Sequence, residues 1–245
     1  MGLKSADAQL QPVEEVASCA VCPALASKLC GGLGHLATFG TLLRHSEHKI
    51  PARRLICRKH DRLDRVPIVC EGWAASAVTL FDGRRQILSF LLPGDFLSAH
   101  LIFEPEIQCS VEAVTEVHYR TFARTELMAL LLEQPTLIHK LSRAWIDEKA
   151  RADQLAINLG RCSADERIAR LILNLFDRLT QRSLARGQLM DFPLRQHHIA
   201  DATGLTVVHV GKVLSEFRRS GLIKISDRSL TIVDLKELQR LAKLQ

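Results

Sequence analysis

Three cysteines near the N-terminus are the residues whose types and spacing most directly suggest chemistry. Cys19, Cys22 and Cys30 are separated by two and seven residues, in a chain that contains seven cysteines in all. Thiolates grouped in this way bind metals or iron–sulfur clusters, pair as disulfides or act as redox switches. The first residues lack the apolar segment of a signal peptide, so we expect a cytoplasmic protein with reduced thiols. That expectation favours metal binding or redox chemistry over a disulfide framework.

The composition is that of a globular protein. The 245 residues are enough for two domains, and 47% hydrophobic with 24% charged residues disfavours disorder as the main state. The longest apolar segment is interrupted by Pro93, Gly94 and Asp95, so no membrane-spanning helix is predicted. The net charge of +6 is only weak evidence for a nucleic-acid partner until its distribution is known.

The segments that must position these cysteines fall into two kinds. Residues 53–125 contain short apolar runs separated by turn residues, including Asp82-Gly83, a strong hairpin signal. This pattern predicts a β-sandwich or roll without a helix of any length. From Thr125 onwards the apolar residues recur at helical spacing, and Pro135 separates a short helix from a long one.

The long helix has an apolar stripe close to a heptad repeat. Its members are Leu137, Leu141, Ala144, Trp145, Ala152, Leu155 and Leu159, with Glu148 as the weak point. A stripe of this kind either packs on its own β-domain or pairs with a second copy of the helix. We expect dimerisation, chiefly through Leu141, Trp145, Ala152, Leu155 and Leu159.

A helix-turn-helix is predicted near the C-terminus. Ser163 and Glu166 form a capping box that begins one helix, and a polar linker, RSLARGQ, follows it. RQHHIADA is then a short helix, Thr203 to Leu205 a tight turn, and Thr206 the N-cap of a second helix. The segment LIKISDRSLTIVD completes the domain as a two-stranded wing.

The charge distribution agrees with DNA binding by this segment. Residues 195–245 hold nine Lys and Arg against five Asp and Glu, which is +4 of the total charge of +6. A recognition helix presents side chains near its N-terminus to base edges, while flanking basic residues contact phosphates. We therefore predict a binding site for double-stranded DNA. The alternatives are an enzyme, for which no catalytic motif is present, and a structural dimer whose winged helix binds protein.

These motifs together resemble the Crp/Fnr family of bacterial transcription regulators. The resemblance covers residues 19–234 and rests on PGDF in the roll, the long helix, SADERIA and TGLTVVHVGKVLSEFRRSGLI. It implies an α+β fold with a cyclic-nucleotide-binding-like β-roll, a dimerisation helix and a winged helix-turn-helix. The expected divisions are an arm (1–34), the roll (35–135), the dimerisation helix (136–160) and the DNA-binding domain (161–245).

The resemblance also implies partners and DNA contacts. The partners are a palindromic operator, RNA polymerase and a second copy of the chain, with no membrane. The expected DNA contacts are Gln196, Thr206, Val207, Val208, His209, Lys212 and Arg218. The oxygen-sensing branch has T-V-E-x-x-S-R on its recognition helix, where this chain has Val208 for Glu, Gly211 for Ser and Lys212 for Arg. We expect a site related to TTG-N8-CAA, with preferences shifted or relaxed from TTGAT-N4-ATCAA.

Binding of a cyclic nucleotide is not expected. Cyclic-AMP-binding members of the family hold the ribose with a Gly-Glu pair and the phosphate with an Arg-Ser pair. Ser98-Ala99 and Cys109-Ser110 stand at those positions here. The loss of the guanidinium leaves a buried phosphate without a counter-charge, which is strongly unfavourable.

The N-terminal cysteines resemble the cluster motif of the oxygen-sensing branch. By this resemblance Cys19, Cys22 and Cys30 would hold an oxygen-labile [4Fe-4S] cluster with a fourth ligand from the roll. The family's fourth cysteine corresponds to Arg120, which cannot ligate iron, so His118 or Cys109 is the expected substitute. Zinc, with a histidine as fourth ligand, and a thiol-redox or vestigial role stay open. Cys57 and Cys70 are further candidates for the fourth ligand, and no role is assigned to Cys162.

Overall fold

The computed structural model describes residues 45–243. Its N-terminal half is a β-roll whose strands form two antiparallel sheets, in the orders β1-β7-β3 and β2-β6-β4-β5. The strands are β1 (His45–Ile50), β2 (Leu55–Cys57), β3 (Arg65–Glu71), β4 (Ala74–Thr79), β5 (Arg85–Leu91), β6 (Ser110–Ala113) and β7 (Val117–Ala123).

The predicted hairpin at Asp82-Gly83 joins β4 to β5. Ala74 to Thr79 pair with Leu91 to Arg85 in antiparallel register, and Gly83 adopts φ +84°, which glycine tolerates without strain. Val66, Val69 and Val111 are fully buried between the sheets. The turn between β5 and β6 contains a short 3-10 helix, Ala99–Ile102, and the roll has no longer helix among its described residues, as predicted.

Two helices follow the roll. Helix α1 (Arg124–Glu133) packs on the roll through Leu127, Leu130 and Leu131. Helix α2 (Pro135–Arg161) begins with Pro135 in its first turn, where the missing N–H is not required by the helix. No helix within residues 45–243 has the length and apolar character needed to cross a bilayer.

The C-terminal domain begins with the predicted capping box. The Ser163 hydroxyl accepts from the Glu166 N–H, the Glu166 carboxylate accepts from the Ser163 N–H, and helix α3 (Ala164–Thr180) follows. Helix α4 (Gln196–Thr203) and helix α5 (Val207–Arg219) form the helix-turn-helix. The mixed α/β architecture, with roll, long helix and helix-turn-helix, confirms the predicted fold class.

The predicted two-stranded wing is confirmed as the antiparallel hairpin of Ile223–Ser226 and Ser229–Ile232, and two more strands extend it into a larger sheet. The sheet has four strands in the order β10-β11-β9-β8. They are β8 (Ala185–Arg186), β9 (Leu189–Asp191), β10 (Ile223–Ser226) and β11 (Ser229–Ile232). The segment predicted as a linker contains β8. It forms a strand because Ala185 pairs with Met190 of β9, which in turn pairs with Leu230 of β11 and is buried. A final helix, α6 (Leu235–Leu241), is N-capped by Asp234 and was not predicted.

Candidate DNA-binding interface and sensor site

The turn between α4 and α5 is fixed by two local hydrogen-bonding arrangements. Gly204 ends α4 in the left-handed conformation, with φ +66°. Thr206 then caps α5, because its hydroxyl accepts from the backbone N–H of His209 at 3.2 Å. Both features follow from the residue types in the sequence and set the angle at which α5 leaves the domain.

Helix α5 is anchored on one face and exposed on the other. Val210, Val213, Leu214 and Phe217 are buried in the domain core. The opposite face carries side chains with no such packing: Val207 is 45% and Val208 70% exposed, and His209, Lys212 and Arg218 are exposed. Exposed branched apolar side chains in the first turn of a helix suit contact with thymine methyl groups.

Most of the predicted DNA-contacting residues lie on one exposed surface. Gln196 is exposed at the start of α4, and its side-chain amide lies so near Gly211 that an added Cβ there would be 3.4 Å from its Oε1. Gly211 therefore permits close packing of α4 on α5 and brings Gln196 beside the recognition helix. Arg218 lies in the last turn, where its guanidinium donates to Ser215 Oγ at 3.0 Å.

The wing adds basic residues that sequence reasoning missed. Lys224 is exposed on β10, and Arg228 is exposed in the turn between β10 and β11. The backbone of Arg228 has φ +63°, and its carbonyl accepts from Phe192 N at 2.6 Å. A basic residue at a hairpin tip beside a helix-turn-helix was the available signal, because such a tip is placed to contact phosphate.

The turn at Ser98-Ala99, where the resemblance places the ribose-binding pair of the cyclic-AMP binders, contacts a carboxylate of this chain. Glu148 extends from α2, and its two oxygens accept from Ser98 Oγ and Ala99 N, both at 3.4 Å. The Trp145 ring packs near it on Phe103, with ring centroids 4.8 Å apart. Helix α2 is thereby fastened to the roll at the very turn that would otherwise bind the ligand.

The pair at the expected phosphate position, Cys109 and Ser110, contributes no cation. Cys109 is buried, and burial together with the Glu148 carboxylate raises the pKa of its thiol to about 11. Ser110 Oγ accepts from the backbone N–H of Lys59 at 3.0 Å. A phosphate entering here would face a negative charge and a neutral thiol.

The candidate cysteine site lies largely outside the described residues. Cys19, Cys22 and Cys30 precede residue 45, and within residues 45–243 no group of three or more His, Cys, Asp and Glu side chains is arranged to hold a metal ion. Arg120 forms an ion pair with Glu47. His118 is 43% exposed on β7, with Nε2 3.6 Å from a Glu116 oxygen.

The cysteines of the roll and of the α2–α3 connection form no disulfide bonds among the described residues. Burial, together with Cys109, raises the pKa of Cys57 to about 12, so this thiol is protonated at neutral pH. Cys162 is buried, and its carbonyl accepts from Arg167 Nε at 2.9 Å. Cys70 is partly buried.

The residues of the predicted dimer stripe lie in two environments. Leu155 and Leu159 are partly buried against their own chain, and Leu159 Cδ2 lies 3.0 Å from the position of a Cβ added to Gly204. Trp145 is 39% exposed and Ala152 is exposed, and Leu141 lies in the same helix. Further apolar residues are exposed along α2: Ile138, Ile146 and Ile157.

A buried ion-pair cluster holds the DNA-binding domain to the roll. Asp95, in the turn after β5, accepts from Arg178 Nη2 through one oxygen and from Arg182 Nη2 through the other, each at 2.6 Å. Arg178 also donates to the Phe90 carbonyl at 2.8 Å, and Arg182 to the Pro93 carbonyl at 2.9 Å. Arg178 lies in the last turn of α3 and Arg182 in the turn just after it, and their spacing of four residues was the only sequence signal for this cluster.

Two parts of the chain match known protein-domain families. Residues 47–134 match the cyclic nucleotide-binding domain and residues 166–241 the Crp-like helix-turn-helix domain. The chain is 32% identical to the nitrogen fixation regulation protein FixK of Bradyrhizobium diazoefficiens over 174 residues, which are 71% of this chain and 72% of that protein. It is 28% identical to the transcriptional activator protein FnrL of Cereibacter sphaeroides, covering 88% of this chain and 87% of FnrL.

Solved structures show the same architecture. The structure of FixK2 from Bradyrhizobium japonicum superposes with a TM-score of 0.74 at 27% identity, covering 83% of this chain and 100% of that one. A CRP-family transcriptional regulator from Thermus thermophilus superposes with a TM-score of 0.64 at 25% identity, covering 80% of this chain and 96% of that one.

Proposed function

The chain belongs to the Crp/Fnr family of DNA-binding transcription regulators, and from that premise we propose that it activates transcription as a homodimer on a palindromic operator. The observation that carries the proposal is the exposed face of α5, where Val207, Val208, His209 and Lys212 have no packing role in the domain. Relatives named as activators, such as FnrL, support activation and with it a contact to RNA polymerase.

Dimerisation is proposed through the exposed part of α2. Trp145 and Ala152 are exposed, as are Ile138, Ile146 and Ile157 on the same helix. A two-fold axis along α2 places two recognition helices on successive turns of the DNA major groove. Leu155 and Leu159 contribute by holding α2 to its own DNA-binding domain as well as by facing a partner.

Oxygen or redox control is proposed through Cys19, Cys22 and Cys30. The support is their spacing together with the similarity to the Fnr-type relatives. An iron–sulfur cluster bound there would supply an oxygen-labile group whose loss changes the state of the regulator. Of the two expected fourth ligands, His118 is the more accessible to the N-terminal cysteines, because its side chain is 43% exposed whereas Cys109 is buried.

Regulation by a cyclic nucleotide is not proposed, although the roll has that domain's fold. Glu148 accepts from Ser98 and Ala99 at the turn that would hold the ligand. A nucleotide would have to displace this carboxylate and bury its own phosphate without a guanidinium.

Anaerobic purification tests the sensor part of the proposal. We expect a brown protein containing iron and sulfide whose absorption bleaches in air, and Cys22→Ser abolishes the colour. Cys162→Ser is the matched control and is expected to leave the cluster intact, because this cysteine lies in the α2–α3 connection, outside the roll that is expected to supply the fourth ligand. His118→Ala is expected to make the cluster more labile while Cys109→Ser leaves it unchanged. A colourless anaerobic protein with stoichiometric zinc contradicts oxygen sensing and leaves DNA binding standing.

Gel-shift titration tests the DNA-binding part. A duplex containing TTG-N8-CAA is expected to bind with an affinity that falls steeply as salt rises, because bound phosphates release counterions. Binding that is independent of salt, or equal for scrambled duplexes, contradicts the proposal.

A further inference from the structure

A cavity of about 90 Å³ lies where β5, α2, α3 and α4 meet, between the roll and the DNA-binding domain. Four arginines line it: Arg151, Arg167, Arg170 and Arg178. No acidic residue is among its described lining residues. A cavity of about 10–15 Å³ is enough for one water molecule, so a cavity of about 90 Å³ has room for a small polyatomic ion.

Two of these arginines, Arg167 and Arg170, each make three hydrogen bonds to the surrounding protein. Arg167 donates to three backbone carbonyls: Leu159 on α2, Cys162 in the α2–α3 connection and Thr203 on α4. Arg170 donates to the carbonyls of Ala242 and Lys243 and to Asn158 Oδ1. These bonds tie the ends of the DNA-binding domain to α2 and keep both side chains in place.

The other two arginines have donors to spare. Arg178 is 8% exposed, and its Nη2 serves Phe90 and Asp95, yet its buried Nε has no hydrogen-bond partner among the described residues. Arg151, on α2, likewise has a buried Nε without a partner in this part of the chain. A buried donor left unsatisfied is unfavourable, and a charged one more so.

The local charge is also out of balance. Arg178 and Arg182 share a single carboxylate, that of Asp95. Burial lowers the pKa of Arg178 to about 10, with the nearby charges of Arg151 and Arg182 acting in the same direction and Asp95 opposing them. Three guanidinium groups therefore lie around one buried carboxylate, which favours a second anion.

We propose that this cavity binds a small oxyanion, held by the guanidinium groups of Arg151 and Arg178 that line it. Guanidinium groups recognise the oxygens of phosphate and carboxylate through charge-assisted N–H bonds, and both chemistries fit a cavity lined by arginines. An apolar cavity of about 150 Å³ binds benzene, so a cavity of about 90 Å³ suits a small ion rather than a nucleoside. The ligand class is inorganic phosphate or a small carboxylate.

The position of the cavity gives the bound anion a structural consequence. Arg151 belongs to the dimerisation helix and Arg178 to the first helix of the DNA-binding domain. An anion between them joins the two elements whose relative orientation sets the spacing of the recognition helices. The site thus couples the supply of a small anion to the geometry of the DNA-bound dimer.

Calorimetric titration of the full-length protein with inorganic phosphate, against chloride at matched ionic strength and pH, tests the proposal. Saturable binding of one phosphate per chain is expected. Arg151→Gln is expected to weaken it by at least about tenfold, the size of losing one charge-assisted bidentate contact. Arg161→Gln is the matched control, since it removes the same charge from the exposed end of the same helix. A parallel titration with malonate distinguishes a phosphate site from a general carboxylate site, and binding of either ion supports the proposal.

Two further variants keep the test decisive. Asn174→Phe obstructs the cavity from an exposed position of α3 without changing charge, and it is expected to abolish binding even where Arg151→Gln is unstable. Lys212→Ala, on the DNA-binding face, is expected to bind phosphate as the wild type does. No saturable heat with either ion, or equal weakening by Arg161→Gln or Lys212→Ala, overturns the proposal.

Discussion

Two arginine- and lysine-rich regions of this protein use the same charges in opposite ways. On α5 and the wing, Lys212, Arg218 and Lys224 are exposed to solvent. At the junction of the domains, Arg178 and Arg182 are buried and paired with Asp95 at 2.6 Å. The exposed cations contribute little to folding because water already solvates them, and they are available to phosphates.

The buried arginines, by contrast, affect folding and are not available to DNA phosphates. Their desolvation is costly, and only the Asp95 carboxylate and backbone carbonyls offset it among the described residues. Removal of one partner therefore affects folding at the junction, whereas removal of an exposed cation affects DNA binding. The predictions below test this division between a buried region that sets the domain arrangement and an exposed region that reads DNA.

The largest expected effect is that of Asp95→Asn. It leaves two buried guanidinium groups without their counter-charge, and the free energy of unfolding is expected to fall by about 3–5 kcal/mol. Urea denaturation followed by circular dichroism measures this. The matched control is Asp82→Asn, which breaks an ion pair with Arg84 at 2.7 Å on an exposed hairpin and is expected to cost less than about 1 kcal/mol. Equal losses contradict the division.

The pH dependence of folding stability gives a second test of the role of Asp95. Burial alone raises the pKa of Asp95, but Arg178 and Arg182 outweigh it and hold the pKa below its ordinary value. A carboxyl whose pKa is depressed by folding contributes stability that is complete above its unfolded pKa, about 3.9, and is lost as pH falls through the folded value. The stability difference between wild type and Asp95→Asn is therefore expected to be constant above about pH 4 to 5 and to shrink in stronger acid. A difference that grows with acidification contradicts the assignment.

Lys212→Ala is expected to change DNA recognition without changing stability. If Lys212 contacts a base, its loss removes about 1–3 kcal/mol of discrimination at one symmetric operator position. Arg218→Ala, in the last turn of α5, is expected to weaken all sequences equally and to reduce the salt dependence. Fluorescence anisotropy with operator variants at several salt concentrations separates the two. Identical profiles for both variants would show that Lys212 contacts only phosphate.

The smallest expected effect is that of Thr206→Ala. The Thr206 hydroxyl accepts from His209 N at the start of α5, and loss of this N-cap is expected to lower stability by about 1 kcal/mol. Thr206→Ser keeps the acceptor and is expected to restore most of it. Thermal denaturation of both variants measures the difference, and a Ser variant as unstable as the Ala variant would assign the effect to the lost methyl group.

The sequence was sufficient wherever structure is locally encoded. The Asp82-Gly83 hairpin, the Ser163 capping box and the Thr206 N-cap were all predicted, because each depends on residues a few positions apart. The helix-turn-helix followed from the same kind of signal. The face of α5 that is exposed to solvent was therefore predictable before any tertiary contact was known.

Tertiary pairings were not predictable in this way. Asp95 and Arg178 are 83 residues apart, and nothing in their neighbourhoods marks them as partners. The apolar stripe of α2 was seen as a single face, yet Leu159 packs towards Gly204 of its own chain whereas Trp145 is exposed beside Phe103. The four-stranded wing sheet likewise depends on Met190 pairing with distant Leu230.

Selection of binding sites from random duplexes tests the central claim, that the exposed face of α5 reads a palindromic operator, most directly. Two-fold symmetric sites related to TTG-N8-CAA are expected, with relaxed preference at the positions facing Val208 and Lys212, because neither can reproduce the Glu–cytosine and Arg–guanine contacts. Recovery of TTGAT-N4-ATCAA with full stringency would contradict the assigned roles of Val208 and Lys212. Failure to enrich any symmetric site would contradict the claim that this protein is a sequence-specific DNA-binding regulator.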